Sequence, residues 1–277
     1  MLRRTLLGLP ALGVAGALLA ACGEDAPVSE PDEPERPGGR RIDYGADPSQ
    51  YGELSLPEGT PRGVVVVIHG GFWKSAYDAS LGRPLAAGLA AGGWAAWNLE
   101  YRRVGDGGGA PATFDDVAAG IDRLADLDLD LSTVVTLGHS AGGHLAAWAA
   151  TRGRGGAWPE RVPVTAVVSQ AGVLDLRAAA DDGLGGGAVR ALLGHEPTDA
   201  DDRYDPLRQL PAGVPLWCVH GRDDAIVPPS QSASYVDAAL AAGDRAELVE
   251  VDGDHFVVID PASAAWARIL GILDTLG

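Results

Sequence analysis

From residue 63 to the carboxyl end, the chain alternates two hydrophobic patterns. Short runs of consecutive apolar or β-branched residues lie at 63–68, 94–99, 133–137, 165–169, 216–219 and 247–251. Longer Ala-rich stretches, near 80–92, 114–127, 141–152, 230–242 and 262–275, separate or follow them and read as helices. The run Val64-Val65-Val66-Val67-Ile68 is apolar at every position. That predicts a strand covered on both faces, because a strand with one wet face would alternate. Such runs interleaved with helices predict an α/β fold with a mostly parallel, doubly covered sheet. Residues 42–44 and 51–56 read as antiparallel edge strands ahead of it. The segment 174–214 breaks the rhythm. It has no strand pattern, and it carries Gly183-Leu184-Gly185-Gly186-Gly187, a short helical patch at 189–193 and an acidic stretch at 199–205. An insertion of that length between two core strands is expected to form a small helical cap.

The first 21 residues read as a signal peptide. Arg3 and Arg4 precede an apolar run that ends in Leu19-Ala20-Ala21-Cys22. The run is short for a bilayer span of about 20 apolar residues, and its small-residue end suits a processing site. Small residues before a cysteine resemble a bacterial lipobox, which implies acylation of Cys22. The paired arginines also resemble a twin-arginine signal, and the export route stays open between the two systems. Residues 22–40 are acidic and Pro-rich with almost no apolar bulk. Such a stretch cannot offset its own ordering entropy and is expected to be a disordered tether. The folded domain is expected over 41–277. Cys218 lies in an apolar run and reads as a small core residue; with Cys22 lipidated, no disulfide can form within the chain. The net charge of −17 repels phosphates and anionic headgroups. Nucleic acid is therefore not an expected partner, and a membrane is expected to be met only through the lipid.

Gly138-His139-Ser140-Ala141-Gly142 matches the G-x-S-x-G elbow, in which a strained turn between strand and helix exposes a serine nucleophile. A strand pattern precedes it and a helix pattern follows. Side chains at the two glycine positions are expected to clash in that turn. A serine needs a base and the base an orienting acid, in the chain order Ser, acid, His for this kind of fold. His195, His220 and His255 lie well past the elbow. His195 falls in the expected cap and His220 ends a strand, whereas His255 sits between the last strand and the last helix. His255 is therefore the expected base. For the acid, Asp223 and Asp224 compete in the turn after the strand at 216–219, and spacing does not separate them. His69-Gly70-Gly71-Phe72-Trp73 follows the all-apolar strand. The N–H groups of Gly70 and Gly71, with that of Ala141, are expected to form an oxyanion hole. His69 precedes the acid in the chain and is expected to be structural.

These motifs together resemble the kynurenine formamidases and related bacterial esterases, the feruloyl-esterase-like group included. His69-Gly70-Gly71-Phe72-Trp73 is similar to their HGGxW motif. Gly138-His139-Ser140-Ala141-Gly142-Gly143-His144 resembles their elbow, Gly221-Arg222-Asp223-Asp224 with Val227-Pro228 their acid turn, and Asp254-His255-Phe256 their histidine loop. The resemblance implies an α/β-hydrolase fold and selects Asp224 as the acid. The expected activity is hydrolysis of small acyl or aryl carboxylic esters through an acyl-enzyme on Ser140. The alternative is an arylformamidase or amidase acting on N-formylkynurenine-like substrates, which the export signal disfavours. A non-catalytic binding protein would be expected to lack a triad member. Phe72, Trp73 and Phe256 flank the motifs and are candidates to line an acyl or aryl pocket, with a core role equally open. Trp148 and Trp266 read as packing. No metal-ligand spacing and no dinucleotide fingerprint is present, so neither a metal nor a cofactor is expected.

Overall fold

The computed structural model describes residues 39–277, Pro159 excepted. Eight strands form one sheet in the order β1-β2-β4-β3-β5-β6-β7-β8. β1 (Arg40–Asp43) and β2 (Tyr51–Ser55) are antiparallel edge strands. β3 (Val64–Ile68), β4 (Ala95–Leu99), β5 (Val134–His139), β6 (Ala166–Gln170), β7 (Leu216–Gly221) and β8 (Ala246–Val251) run parallel. β1 already includes Arg40, the last residue assigned to the tether. The expected signal peptide, Cys22 and the rest of the tether up to residue 38 lie outside the described residues.

The unbroken apolar run of β3 has the expected cause. Val64, Val66 and Ile68 enter one core, and Val65 and Val67 enter the other. α1 (Arg83–Ala91) and α7 (Ala264–Leu273) cover the second face. α2 (Ala112–Asp122), α3 (Ala141–Ala149) and α6 (Ser230–Ala241) cover the first. Trp148 and Trp266 are buried in these two layers, one in each.

Residues 174–214 fold into α4 (Leu176–Asp181), α5 (Leu184–Leu193) and two short 3₁₀ turns, Asp199–Tyr204 and Pro206–Gln209. Gly183 and Gly185–Gly187 all hold positive φ, between 60° and 86°. A side chain would be strained at each, which explains the clustered glycines. Beyond this kinked start, Ala188, Val189, Leu192 and Leu193 are buried in the same core as α2 and α3. The insertion is thus packed into the domain along most of its length.

The register sets the position of the site. Ile68 pairs with Gly138, His139 with Gln170, Gln170 with Val219, and Gly221 with Val251. The carboxyl ends of β3, β5, β7 and β8 therefore finish along one edge. The strand order reverses between β3 and β5, since β4 lies to one side of β3 and β5 to the other. Crevices at such reversals are the usual ligand sites of open α/β sheets.

Candidate active site

Ser140 follows β5 directly and caps α3 with φ 55° and ψ −117°, outside the regions that L-residues ordinarily occupy. Three hydrogen bonds hold the turn. Ser140 N donates to Gln170 O (2.8 Å), His144 N to Ser140 O (3.1 Å) and Val173 N to the same oxygen (3.4 Å). The glycines are required by contact. A Cβ at Gly138 would strike the Gly142 carbonyl, and one at Gly142 would strike the Ile68 and His69 carbonyls. Gly142 thus lets α3 start directly against the end of β3.

Gly70 lies across that contact. A Cβ there would sit 2.7 Å from His139 O and 3.2 Å from Ser140 Cβ. The loop beyond it is contorted, with φ 111° at Gly71, 55° at Phe72 and 56° at Trp73. Trp73 helps to hold this strain, since its side chain is buried and its carbonyl accepts from Val104 N (2.8 Å). The His69 ring is stacked on Tyr101 at 4.5 Å. Its nitrogens reach the Gly70 carbonyl oxygen (2.9 Å) and Glu100 Oε1 (3.1 Å). Because a peptide is planar, holding the Gly70 oxygen toward His69 aims the Gly71 N–H the opposite way. Glu100 is buried and satisfied on both oxygens. It accepts from Tyr101 N (2.7 Å), Ala79 N (2.8 Å) and Arg103 (3.1 Å). The Tyr101 hydroxyl closes the network by donating to His69 O (2.8 Å). The N–H groups of Gly70, Gly71 and Ala141 have no acceptor among the described residues.

On the other side of Ser140, β7 delivers the acid turn and the β8–α7 loop delivers His255. A Cβ at Gly221 would lie 2.5 Å from both Gly253 O and Asp254 O, so glycine there lets the two loops touch. His255 Nδ1 donates to Asp224 Oδ2 at 2.6 Å. Asp224 Oδ1 accepts from Ile226 N (2.8 Å) and Val227 N (2.9 Å). Burial opposes its charge, but the hydrogen bonds from His220, His255 and these two amides outweigh burial and hold the carboxyl well below the usual range. Asp223 is exposed, and its backbone N–H donates to Gly253 O. His139, beside the nucleophile, lies 4.5 Å from the His255 ring and donates from Nε2 to His255 O (2.9 Å). Burial, with the nearby His255, pushes His139 down to about 3. His139 therefore stays neutral and serves to hold the histidine loop against the elbow.

The flanking aromatic residues separate. Trp73 is 1% exposed and packs edge-on against His144, inside the core. It is not available to line an open pocket. Phe256 is 54% exposed with its ring 5.3 Å from that of His255. Phe72 is half-buried against Gly185 of the insertion, and the Lys74 ammonium lies 5.4 Å above its ring and donates to Gly185 O (3.0 Å). Glu100 reads in the sequence only as the polar end of a strand, and His220 is set aside there as a base because it ends a strand. Among the described residues, no cluster of three or more His, Cys, Asp or Glu is arranged to hold a metal ion.

The chain is similar to proteins of one family and one fold. The BD-FAE family pattern matches residues 54–238. Esterase LipC of Mycobacterium tuberculosis is 28% identical over 248 residues, which is 80% of this chain and 61% of LipC. Isoprenylcysteine alpha-carbonyl methylesterase ICME of Arabidopsis thaliana is 27% identical over 238 residues, 77% of this chain and 55% of ICME. The chain thus spans less than two thirds of either relative. Among solved structures, Thermogutta terrifontis esterase 2 phosphonylated by sarin superposes with a TM-score of 0.72 at 25% identity, covering 87% of this chain and 95% of that one. A truncated carbohydrate esterase from gut microbiota has a TM-score of 0.74 at 20% identity, covering 85% and 94%, and shares the fold.

Proposed function

Because the chain belongs to the BD-FAE family, a group of α/β-hydrolase esterases, we propose that it is a serine hydrolase of small acyl or aryl carboxylic esters. The observation that carries the reading is the 2.6 Å bond between His255 and Asp224, formed beside a serine held on a strained elbow. In this reading His255 takes the Ser140 proton as the oxygen attacks the ester carbonyl. The Asp224 carboxylate keeps the imidazole in the tautomer that can accept at Nε2, and stabilises the imidazolium that forms. The N–H groups of Gly70, Gly71 and Ala141 bind the developing oxyanion. Losing one such donor typically costs about 2.7–4 kcal/mol of transition-state stabilisation. Alcohol leaves with the proton from His255, and water then releases the acyl group by the same steps in reverse. Phe256 and Phe72 offer apolar surface to the acyl or aryl part. That LipC and ICME are esterases, and that esterase 2 is phosphonylated by sarin, support this chemistry.

The test is a series of p-nitrophenyl esters of rising chain length, beside a feruloyl ester and N-formylkynurenine, together with labelling by a fluorophosphonate. Ester turnover and a mass adduct on Ser140 are expected. An unlabelled, inactive protein overturns the reading, and faster turnover of N-formylkynurenine than of any ester moves it to an amidase. The same proposal places the enzyme outside the cytoplasm, anchored through acylated Cys22. The support is the apolar run ending in Leu19-Ala20-Ala21-Cys22. Cys22→Ser is expected to release the protein or leave it unprocessed, and native protein in the cytosol with residues 1–21 attached would overturn the assignment.

A further inference from the structure

Asp224 is shared between two histidines. Oδ2, the oxygen that receives His255 Nδ1, also lies 3.1 Å from His220 Nε2. His220 Nε2 lies 3.0 Å from Val227 O as well. A carboxylate and a carbonyl can only accept, so Nε2 carries the proton and divides it between them. The other ring nitrogen, Nδ1, is 2.7 Å from Ser232 Oγ on α6, and the serine hydroxyl donates to it. Ser232 is buried and His220 is 1% exposed, so water does not compete for this chain. The direction of donation runs from Ser232 to His220 to Asp224, and His255 meets the same oxygen from the opposite end.

From this arrangement we propose that His220 is a positioning residue for the esterase, a second donor that orients the Asp224 carboxylate and moderates its pull on the His255 proton. The proposal rests on the esterase reading. Two backbone amides hold Oδ1, whereas among the described residues only histidines hold Oδ2. Without His220 the carboxylate loses one of the two contacts at Oδ2 and keeps only His255 there. Its charge then falls more fully on His255. A carboxylate relieved of a donor is more basic and stabilises imidazolium more strongly. The base would then be protonated up to a higher pH, so the acid limb of the rate profile would move upward. The titratable groups around His220 are Asp224 on its own turn, Cys218 two residues back on β7, His139 at the end of β5, and His255. Burial pushes the Cys218 thiol up to about 12 and His139 down to about 3. Neither changes charge between those limits, so neither can mimic the effect.

The variants are His220→Leu, which removes the donor, His220→Gln, whose amide nitrogen can replace Nε2–H, and Ser232→Ala, which releases the tautomer. For His220→Leu, kcat is expected to fall on the order of tenfold, the loss of one hydrogen bond to a charged group, with KM little changed. The acid limb of kcat/KM is expected to move up by about 0.5–1 pH unit. His220→Gln recovers most of both effects, and Ser232→Ala moves the limb in the same direction by less. The second readout needs no substrate: the low-field proton of the His255–Asp224 bond, followed by proton NMR against pH in the purified protein, shifts with the kinetic limb. A wild-type pH profile in His220→Leu overturns the proposal. So does equal impairment of the Leu and Gln variants with no pH shift, which would mean packing alone. If His220→Leu does not fold, Ser232→Ala carries the test, and an unshifted acid limb in that variant overturns the proposal. Wild-type protein that hydrolyses no ester, with the low-field proton still displaced in His220→Leu, would remove the esterase reading and leave the hold of His220 on the Asp224 carboxylate standing.

Discussion

Gly142→Ala adds one methyl group where the elbow touches the oxyanion loop. The added Cβ would lie 2.6 Å from His69 O and 2.7 Å from the Ile68 carbonyl carbon, and nearer still to the Ile68 oxygen. Real Cβ atoms essentially never approach another heavy atom within 3.0 Å. The obstacles are backbone atoms at the end of the central strand, so no rotamer change relieves the clash. α3 must therefore retreat from β3 by a distance on the order of 1 Å, and displacement of that size in a reacting group can cost about 10²-fold in rate. The same overpacking should destabilise the fold by about 1–3 kcal/mol. Hydrolysis of p-nitrophenyl acetate and butyrate gives kcat and KM, and urea unfolding gives the stability. The expected result is a kcat loss of about 100-fold or more with a smaller change in KM, in protein that is still folded at the assay temperature. Gly186→Ala is the control: its Cβ meets nothing within 4 Å, so its φ of 70° strains only the backbone. A Gly142→Ala enzyme with wild-type kcat would refute the idea that close approach of elbow and oxyanion loop sets the reacting geometry.

Three further outcomes are expected. Ser140→Ala and His255→Ala should each remove nearly all turnover, and the double variant should be little worse than either, because the groups act as a unit; multiplying losses would sink the triad. Asp224→Asn should cost about 10⁴ in kcat, since the amide favours the wrong imidazole tautomer, whereas exposed Asp223→Asn should stay within a few-fold; steady-state kinetics showing the reverse order would exchange their roles. Asp205, in the insertion, is 2% exposed and accepts from Leu176 N (3.2 Å) and Leu207 N (3.1 Å). Burial, then the charge of Asp175, pushes it up to about 7 from an ordinary 3.8. The folded state therefore binds this proton more tightly than the unfolded chain. Stability is highest below the ordinary value and is lost as pH rises through the window up to about 7, by at most about 1.4 kcal/mol per unit. Asp205→Asn should flatten that slope in urea midpoints taken from pH 4 to 8, and an unchanged slope would disprove the assignment.

Much of the architecture can be read in the chain because it is repetitive and local. The apolar run of β3 needs cover on both faces, and G-x-S-x-G between a strand and a helix has few alternative conformations. The edge strands β1 and β2 and the placement of Ser140 at the strand–helix junction follow from patterns a few residues long. The relation between Asp223 and Asp224 does not. The two differ only in which one turns inward, and that is set by Ile226 N and Val227 N holding one carboxylate and by His255, 31 residues away, meeting it. Glu100 and His220 are hidden for the same reason. Each is a polar residue at the end of a strand, where a turn residue would serve equally well, until the sheet brings His69 to Glu100 and the turn after β7 folds Asp224 back onto His220. Trp73 shows the reverse case: its motif suggests substrate, yet its ring is buried because the positive φ at Phe72 and Trp73 turns it toward His144. The glycines at 183–187 mark a contorted segment, but only packing shows that the helix after them is part of the core. Local pattern determines which elements form and where a nucleophile can be exposed. Which polar groups face one another across the sheet edge depends on strand register and loop contact, and those exist only in the folded chain.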